Sequence, residues 1–592
     1  MRTNYFLKLL ATMLLVFLVT NVTAKQITVT EPATDADLAT ALEQAENGDE
    51  IVISGFVEFS APVTVTKNVT FVGASEDALY DGFDGLGESK IFELNPDPIE
   101  GQKLVFRNLG FFGGYNAGDD GGIGRILTGT TEFYDCILDG NTTEHRGGAF
   151  YLPSPEGSSA AVSFHNCEIT NNISTERGGA FFVTGNSYTT SFDFCKIQGN
   201  KSITDRGGAF FIEGTNSNNF YYTLIQSNTS GVEGEGGERG GGAFVTAGDH
   251  SAITLESCAI VSNIAYGNHG STFFLMGSPN ITLINSVVAN NVTKAGAGSW
   301  FIASGDCDIT LVNTIMTKNT GGNSGNAGGG LRVMNTNNRI NLFNSLVLGN
   351  DTYQDNTEGA VDLRADNKVG IESTWVFKNS IVGLISGLEP ARIPAPQDKA
   401  GINPSLINMY NIGGESAQPD WVALDLSGID YNSQPLVTAE FGMPYYTLQN
   451  ADVYAAKMGD PALLSDYDLN TDMFNETRTV TGGAVFAGPV QSVVGGGVAT
   501  DPKLGIKQIL APAKENIRIV GIVSNGILGV DFGNIKGQAK GDLISLTGQS
   551  VETVFNRNVV GKGYYNVHVQ PGIYLLRVVN GGNTYVQKVI VK

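Results

Sequence analysis

Eight asparagines pace the middle of this 592-residue chain. They close the segments CILDGN, CEITNN, CKIQGN, TLIQSN, CAIVSN, SVVANN, TIMTKN and SLVLGN, at Asn141, Asn172, Asn200, Asn228, Asn263, Asn291, Asn319 and Asn350. The steps are 31, 28, 28, 35, 28, 28 and 31 residues, so the basal period is 28. A small residue stands five positions before each: Cys136, Cys167, Cys195, Thr223, Cys258, Ser286, Thr314 and Ser345. An aromatic or aliphatic residue keeps the same time at Phe150, Phe181, Phe210, Phe244, Phe273, Phe301, Leu331 and Val361. Fixed periods of this length mark solenoids, in which one turn cannot bury its own apolar face and stacks on the next.

Leucine-rich repeats share a period near this one, but they place a helical or 3₁₀ segment in each turn. Here no copy has a 3.6-residue apolar rhythm. Pieces such as VSFHNCEIT and SFDFCKIQ alternate and are rich in β-branched and aromatic residues, which is the strand signature. Three short strands per turn, bent by Gly and Asn, predict an all-β chain folded as a right-handed parallel β-helix. Equivalent residues of successive turns then lie one interstrand spacing apart and form rows. Phe and Cys/Thr/Ser rows belong inside, and Gly-Gly forms a sharp corner. Cysteines stacked one turn apart project in parallel, poor geometry for bonding, which favours a buried thiol row over a disulfide. Cys307 lies outside that row.

The ends differ from the middle. Arg2 and Lys8 precede an apolar run from Leu9 to Val19 and then Val-Thr-Ala, so residues 1–24 read as a secretory signal. The mature protein is therefore expected outside the cell or at its surface. Residues 34–47 place Leu38, Ala41, Leu42 and Ala45 on one helical face, with Thr34 and Asp37 as a capping box, predicting a helix that caps the first turn. The β-helix is expected over 25–495, with an irregular excursion over 386–450. A glycine-bearing linker at 496–511 leads to a small β-sandwich at 512–592.

Three resemblances add to this. Units such as GNTTEHRGGAFY resemble the repeats of chlamydial polymorphic outer-membrane proteins over roughly residues 130 to 365, which implies a surface β-helix and a role in adhesion. The segment 459–491, GDPALLSDYDLNTDMFNETRTVTGGAVFAGPVQ, resembles the final turn of many exported bacterial β-helix proteins. GDLISLTGQSV, QPGIYLLRVVNGGNTYVQKVIVK and the terminal Lys588 and Lys592 resemble the type A C-terminal sorting domain of the type IX secretion system of Bacteroidetes. That implies export through this machinery and attachment at the surface, so membrane association comes only through that attachment.

The glycine motif carries a charged pair in each turn. Arg146, Arg177 and Arg206 share a column, Arg239 is displaced by one, and His269 follows, with Glu144, Glu176, Asp205 and Glu238 just before the arginines. The plainer reading is a solvated corner of exposed pairs, each contributing about 0–1 kcal/mol. The sharper one is a strip of forked donors gripping the carboxylates or sulfates of a polysaccharide or cell-surface glycan. Catalytic residues are expected once in a chain, whereas these recur, so a binding or structural role is expected and not an enzyme. The alternative is a polysaccharide lyase or glycoside hydrolase on the same scaffold, with His145 or an arginine of this row as base. The acidic loops at 115–125 and 351–356 follow no known metal spacing, and no cofactor or metal is expected. A formal charge of -23 argues against nucleic acid as a partner.

Overall fold

The chain folds, in the computed structural model described here, as a parallel β-solenoid of about 11 turns, followed in sequence by an antiparallel β-sandwich. The structure describes residues 24–352 except 76, 97–102, 155–158, 236–239, 297, 323–327 and 335–336, then parts of 362–491 and of 518–591. Most of the signal segment, nearly all of the excursion over 386–450, the linker over 496–511, and both Glu238 and Arg239 lie outside the described residues.

One turn shows the plan. Phe181–Gly185 and Tyr188–Asp193 lie in a first sheet, Lys196–Gln198 in a second and Lys201–Ser202 in a third. Each pairs in parallel with the next turn: Phe181 with Phe210, Phe192 with Phe220, Ile197 with Ile225, Ser202 with Ser230. Two left-handed residues, Gly185 (φ 91°) and Ser187 (φ 74°), split the first strand in two. In two later turns it runs unbroken, as Phe244–Glu256 and Phe273–Ile284.

Two aromatic rows fill the interior. Phe133, Phe164, Phe192 and Phe220 stack with centroids 4.7–5.0 Å apart. Phe181, Phe210, Phe244, Phe273 and Trp300 form the second row, at 4.5–5.2 Å. Trp300, not Phe301, stands in this row, and Phe301 pairs with Phe274 on the outer face. The corner between Asn291 and Trp300 is one residue shorter than that between Asn263 and Phe273, so a strict 28-residue count misplaces it by one. Leu363 pairs with Leu331 in the same row, and Val361 lies outside the described residues.

The asparagines form a continuous buried ladder. Asn172 Nδ2 donates to Asn200 Oδ1 (2.9 Å), and the backbone N–H of Asn172 donates to the same oxygen (3.0 Å). Asn200 repeats both bonds to Asn228 while its Nδ2 also donates to the carbonyl of Ile169. This continues without a break from Asn141 to Asn350, where Asp362 Oδ1 accepts the last pair. The side-chain amide thus satisfies main-chain groups that the corner would otherwise orphan. The Cys/Thr/Ser row runs beside it. All five cysteines are free thiols and buried, and burial pushes the Cys258 thiol up to about 12.

A helix over Asp35–Gln44 packs on the strands of the first turn and buries Leu38, Ala41 and Leu42. Thr34 and Asp37 form its capping box, and Lys67 Nζ donates to the carbonyls of Leu42 and Ala45 at its other end. Residues 459–491 do not build a final turn. They lie against the side of the solenoid, where Leu464, Leu469 and Val485 pack on Ile284, Val312 and Phe343. Their short bridges are antiparallel, which a parallel coil cannot extend. Arg478, fully buried, fastens this cover by donating to the carbonyls of Thr471, Phe486, Gly488 and Pro489 and to Asn285 Oδ1.

The chain divides into two compact units, Met1–Ala439 with Met443–Leu504 and Glu440–Gly442 with Gly505–Lys592. In the second unit, Ser550–Val559, Gly537–Ile544, Gly572–Asn580 and Asn583–Val591 form one antiparallel sheet, and Arg518–Ile519, Ile527–Asp531 and Lys562–Asn566 another. Leu528, Val530, Phe555, Leu576 and Val578 are among the residues of their shared core.

Candidate functional site

Alternation along a strand sends every second residue outward, so a parallel stack also writes rows on its surface. Outside the first strand of the first sheet run Tyr151, Phe182, Phe211, Val245, Phe274 and Phe301. All but Tyr151 are buried, although they point away from the interior. The charged corners expected in water fold back over these rings. The Arg146 guanidinium lies 4.6 Å from the Phe182 centroid, Arg177 4.8 Å from Phe211, and Arg206 5.2 Å from Phe274. His269 stacks on Phe274 at 4.3 Å and on Phe301 at 5.1 Å. Burial, with Arg206 and Arg332 nearby, holds its imidazole down at about 4, so it is a neutral ring at ordinary pH.

The pairing also differs from the sequence reading. Arg146 is held by Asp120 of the preceding turn, Nε to Oδ1 2.9 Å and Nη2 to Oδ2 2.7 Å, and not by Glu144. Arg177 donates to Asp205 of the following turn at 2.8 Å, and Arg206 lies 3.5 Å from that carboxylate. Glu144 accepts instead from the Tyr115 hydroxyl, and Glu176 stands 3.6 Å from His145. A neighbouring turn brings a partner within reach at one interstrand step; Glu144 and Glu176 point away from the arginines that follow them, whereas Asp205 stays beside Arg206 and also serves Arg177. Carboxylates at their edges and rings on their faces hold these arginines in place. The row cements an outer aromatic layer.

A second outward row, on the second strand of the same sheet, has a different character. Register places Arg107, Tyr134, His165, Asp193, Tyr221, Glu256, Ile284, Val312, Phe343 and Lys378 in one column, one per turn. From Ile284 to Phe343 it is apolar and lies under the 459–491 cover. From Tyr134 to Glu256 it is partly exposed and mixes rings with carboxylates. His165 Nδ1 lies 3.0 Å from Asp193 Oδ2, and its ring stacks on Tyr134 at 4.7 Å. The Tyr134 hydroxyl donates to Glu132 at 2.6 Å, Lys103 pairs with Glu132, and Arg107 lies 5.3 Å over the Tyr134 ring. Asp193 raises the His165 pKa, while desolvation and Glu132 push the Tyr134 phenol up to about 12. Desolvation raises Glu256, which sits one turn from the covered Ile284.

This column escaped the sequence reading, yet its signal is simple. Each member stands two residues before the small-residue row, which reads Tyr, His, Asp, Tyr, Glu and then Ile, Val, Phe from Cys136 to Ser345. The Asp pairs expected to be plain acidic loops are engaged in part: Asp120 holds Arg146 and Asp119 meets Arg125. Positions 353–356 of the second loop lie outside the described residues. Among the described residues no group of three His, Cys, Asp or Glu side chains is arranged to hold a metal ion, and no helix is long and apolar enough to cross a membrane. No protein family, curated protein or solved structure matches the chain.

Proposed function

We propose that this is an exported β-helix protein, secreted or held at the cell surface, that acts as an adhesin or glycan-binding structural protein. The observation that carries the reading is the contrast between rows. Interior and corner positions repeat from turn to turn, while the open column from Tyr134 to Glu256 changes residue at every turn. Scaffold rows repeat because each turn solves the same packing problem, and a surface that varies over such a scaffold is free to serve recognition. Binding of the mature chain, from residue 25, on a glycan array tests this. Reproducible capture of a related set of glycans is expected, and an array without any binder refutes it.

The export route rests on the resemblance of residues 512–592 to a type IX sorting domain, supported by their antiparallel sandwich and the hairpin of Gly572–Asn580 with Asn583–Val591, which carries Lys588. Deleting 512–592 in a host that has this secretion system is expected to retain the chain in the periplasm. Normal release of the truncated chain counts against the route. A second reading, a polysaccharide lyase or glycoside hydrolase, draws on Tyr134, His165 and Asp193 with Arg107 close by, a constellation that occurs once. Unsaturated uronate products or reducing ends, abolished by His165→Ala, establish it; their absence leaves the binding reading.

A further inference from the structure

We infer that the open column is a subsite for an uncharged, hydroxyl-rich glycan lying along the solenoid axis, with its run ended by the 459–491 cover. This rests on the glycan-binding reading and names its ligand class and place. Tyr134, His165, Asp193, Tyr221 and Glu256 sit on five successive turns, four interstrand steps, or about 19 Å of length at ~4.8 Å per step. That suits a linear polymer of sugars in extended form. Tyr134 and His165 stack on each other, so the apolar surface for the C–H side of a pyranose comes from Tyr221 and Phe194, and carboxylates accept hydrogen bonds from its hydroxyls.

A backbone feature points to the same place. The residue following each member of the column takes a left-handed conformation, and Asn holds that position at Asn108, Asn166, Asn285, Asn313 and Asn344. At Phe194 (φ 57°) and Tyr222 (φ 49°) aromatic side chains stand there instead. Bulky residues are genuine outliers in this region, whereas Asn tolerates it. Phe194 meets Tyr221 at 5.3 Å and Tyr222 at 5.5 Å, so the strained corner widens the ring surface beside Asp193 and Tyr221.

Charge selects the class of glycan. Glu132, Asp135, Asp193 and Glu256 line or flank this strip against Lys103, Arg107 and His165, and Lys103 and His165 already face carboxylates. The chain as a whole carries -23. Polyuronates and sulfated glycans are therefore repelled. Among the described residues no cation stands against Glu256, and this half-buried carboxyl is placed to exchange a hydrogen bond with a neutral hydroxyl at the end of the strip.

Calorimetry on the mature chain tests this with uncharged β-linked gluco-, manno- and xylo-oligosaccharides from disaccharide to hexasaccharide, beside a polyuronate, a sulfated glycan and a chitosan oligomer. The expected result is binding of a neutral series whose affinity rises with length up to about the pentasaccharide. Tyr221→Ala should weaken it about tenfold or more, as loss of a central aromatic anchor does. Lys201→Ala, on the third sheet and away from the column, should leave it unchanged. Preference for an anionic or cationic glycan overturns the inference, as does neutral binding insensitive to Tyr221→Ala in a variant whose circular dichroism matches the parent. In those cases the broader glycan-binding reading survives, whereas failure of every glycan removes both.

Discussion

Asn200→Ala isolates the buried ladder as a source of stability. The side chain makes four hydrogen bonds in a fully buried site: it accepts from the backbone N–H and the Nδ2 of Asn172, and donates to Asn228 and to the carbonyl of Ile169. Truncation leaves the Asn172 N–H and the Ile169 carbonyl without these partners. Each buried polar group left unsatisfied costs about 1–3 kcal/mol, so a loss of about 2–5 kcal/mol is expected. Asn172→Ala should cost a similar amount. The double variant should fall short of the sum by about 1 kcal/mol, because the two amides share a bond. None of the three tryptophans, Trp300, Trp375 and Trp421, lies in the sequence of the C-terminal sandwich, so urea unfolding followed by tryptophan fluorescence does not read that domain. Thr189→Ala, exposed on a strand of the same turn as Asn200, is the control and should stay within about 0.5 kcal/mol. A loss for Asn200→Ala no larger than the control, or strict additivity with Asn172→Ala, would show that the ladder is ornament.

Further outcomes follow from other features. All five cysteines are buried, so a thiol reagent should modify none of them in the native protein and all five in urea. Arg478→Met removes the donor shared by the carbonyls of Gly488 and Pro489 and should cost about 3 kcal/mol or more. It should open residues 459–491 to protease and raise dye binding at Ile284 and Phe343; unchanged cleavage refutes the fastening role. The histidines should titrate in opposite directions by NMR. His269, held neutral down to about 4, contributes stability that is lost as pH falls from about 6.5 towards 4, and His269→Phe should flatten that interval. His165, raised by Asp193, contributes stability that is present below about 6.5 and lost as pH rises through its folded pKa, and Asp193→Asn should bring its titration back down.

How far the chain could be read beforehand follows from where the information sits. The asparagine ladder, the thiol row and the capping helix are periodic or local, so residues such as Asn200, Cys195 and Thr34 announce them directly. Phe301 stands one place off the inner row because the corner before it is one residue short, while Leu331 in the next turn falls in place. The arginines were located correctly but read as facing water, because the partners of Arg146 and Arg177 lie a full turn away and the rings beneath them also looked like core. The cover over Ile284, Val312 and Phe343 comes from more than a hundred residues downstream. Only the switch from charged to apolar outward residues betrays it. The Tyr134 to Glu256 strip is written two residues before the small-residue row, but its members differ from turn to turn, so no repeated letter points to it.

Every amide of the ladder passes one hydrogen forward to the next asparagine oxygen and the other back to a carbonyl of an earlier turn, and the forward series stops at Asp362, whose carboxylate accepts that bond and has no hydrogen to pass on. Such a one-way relay is indifferent to its own length. A duplicated turn with its asparagine would find an acceptor ahead and donors behind without any change in the neighbours, so a gene could lengthen or shorten this protein in whole turns and space its surface rows farther apart or closer together.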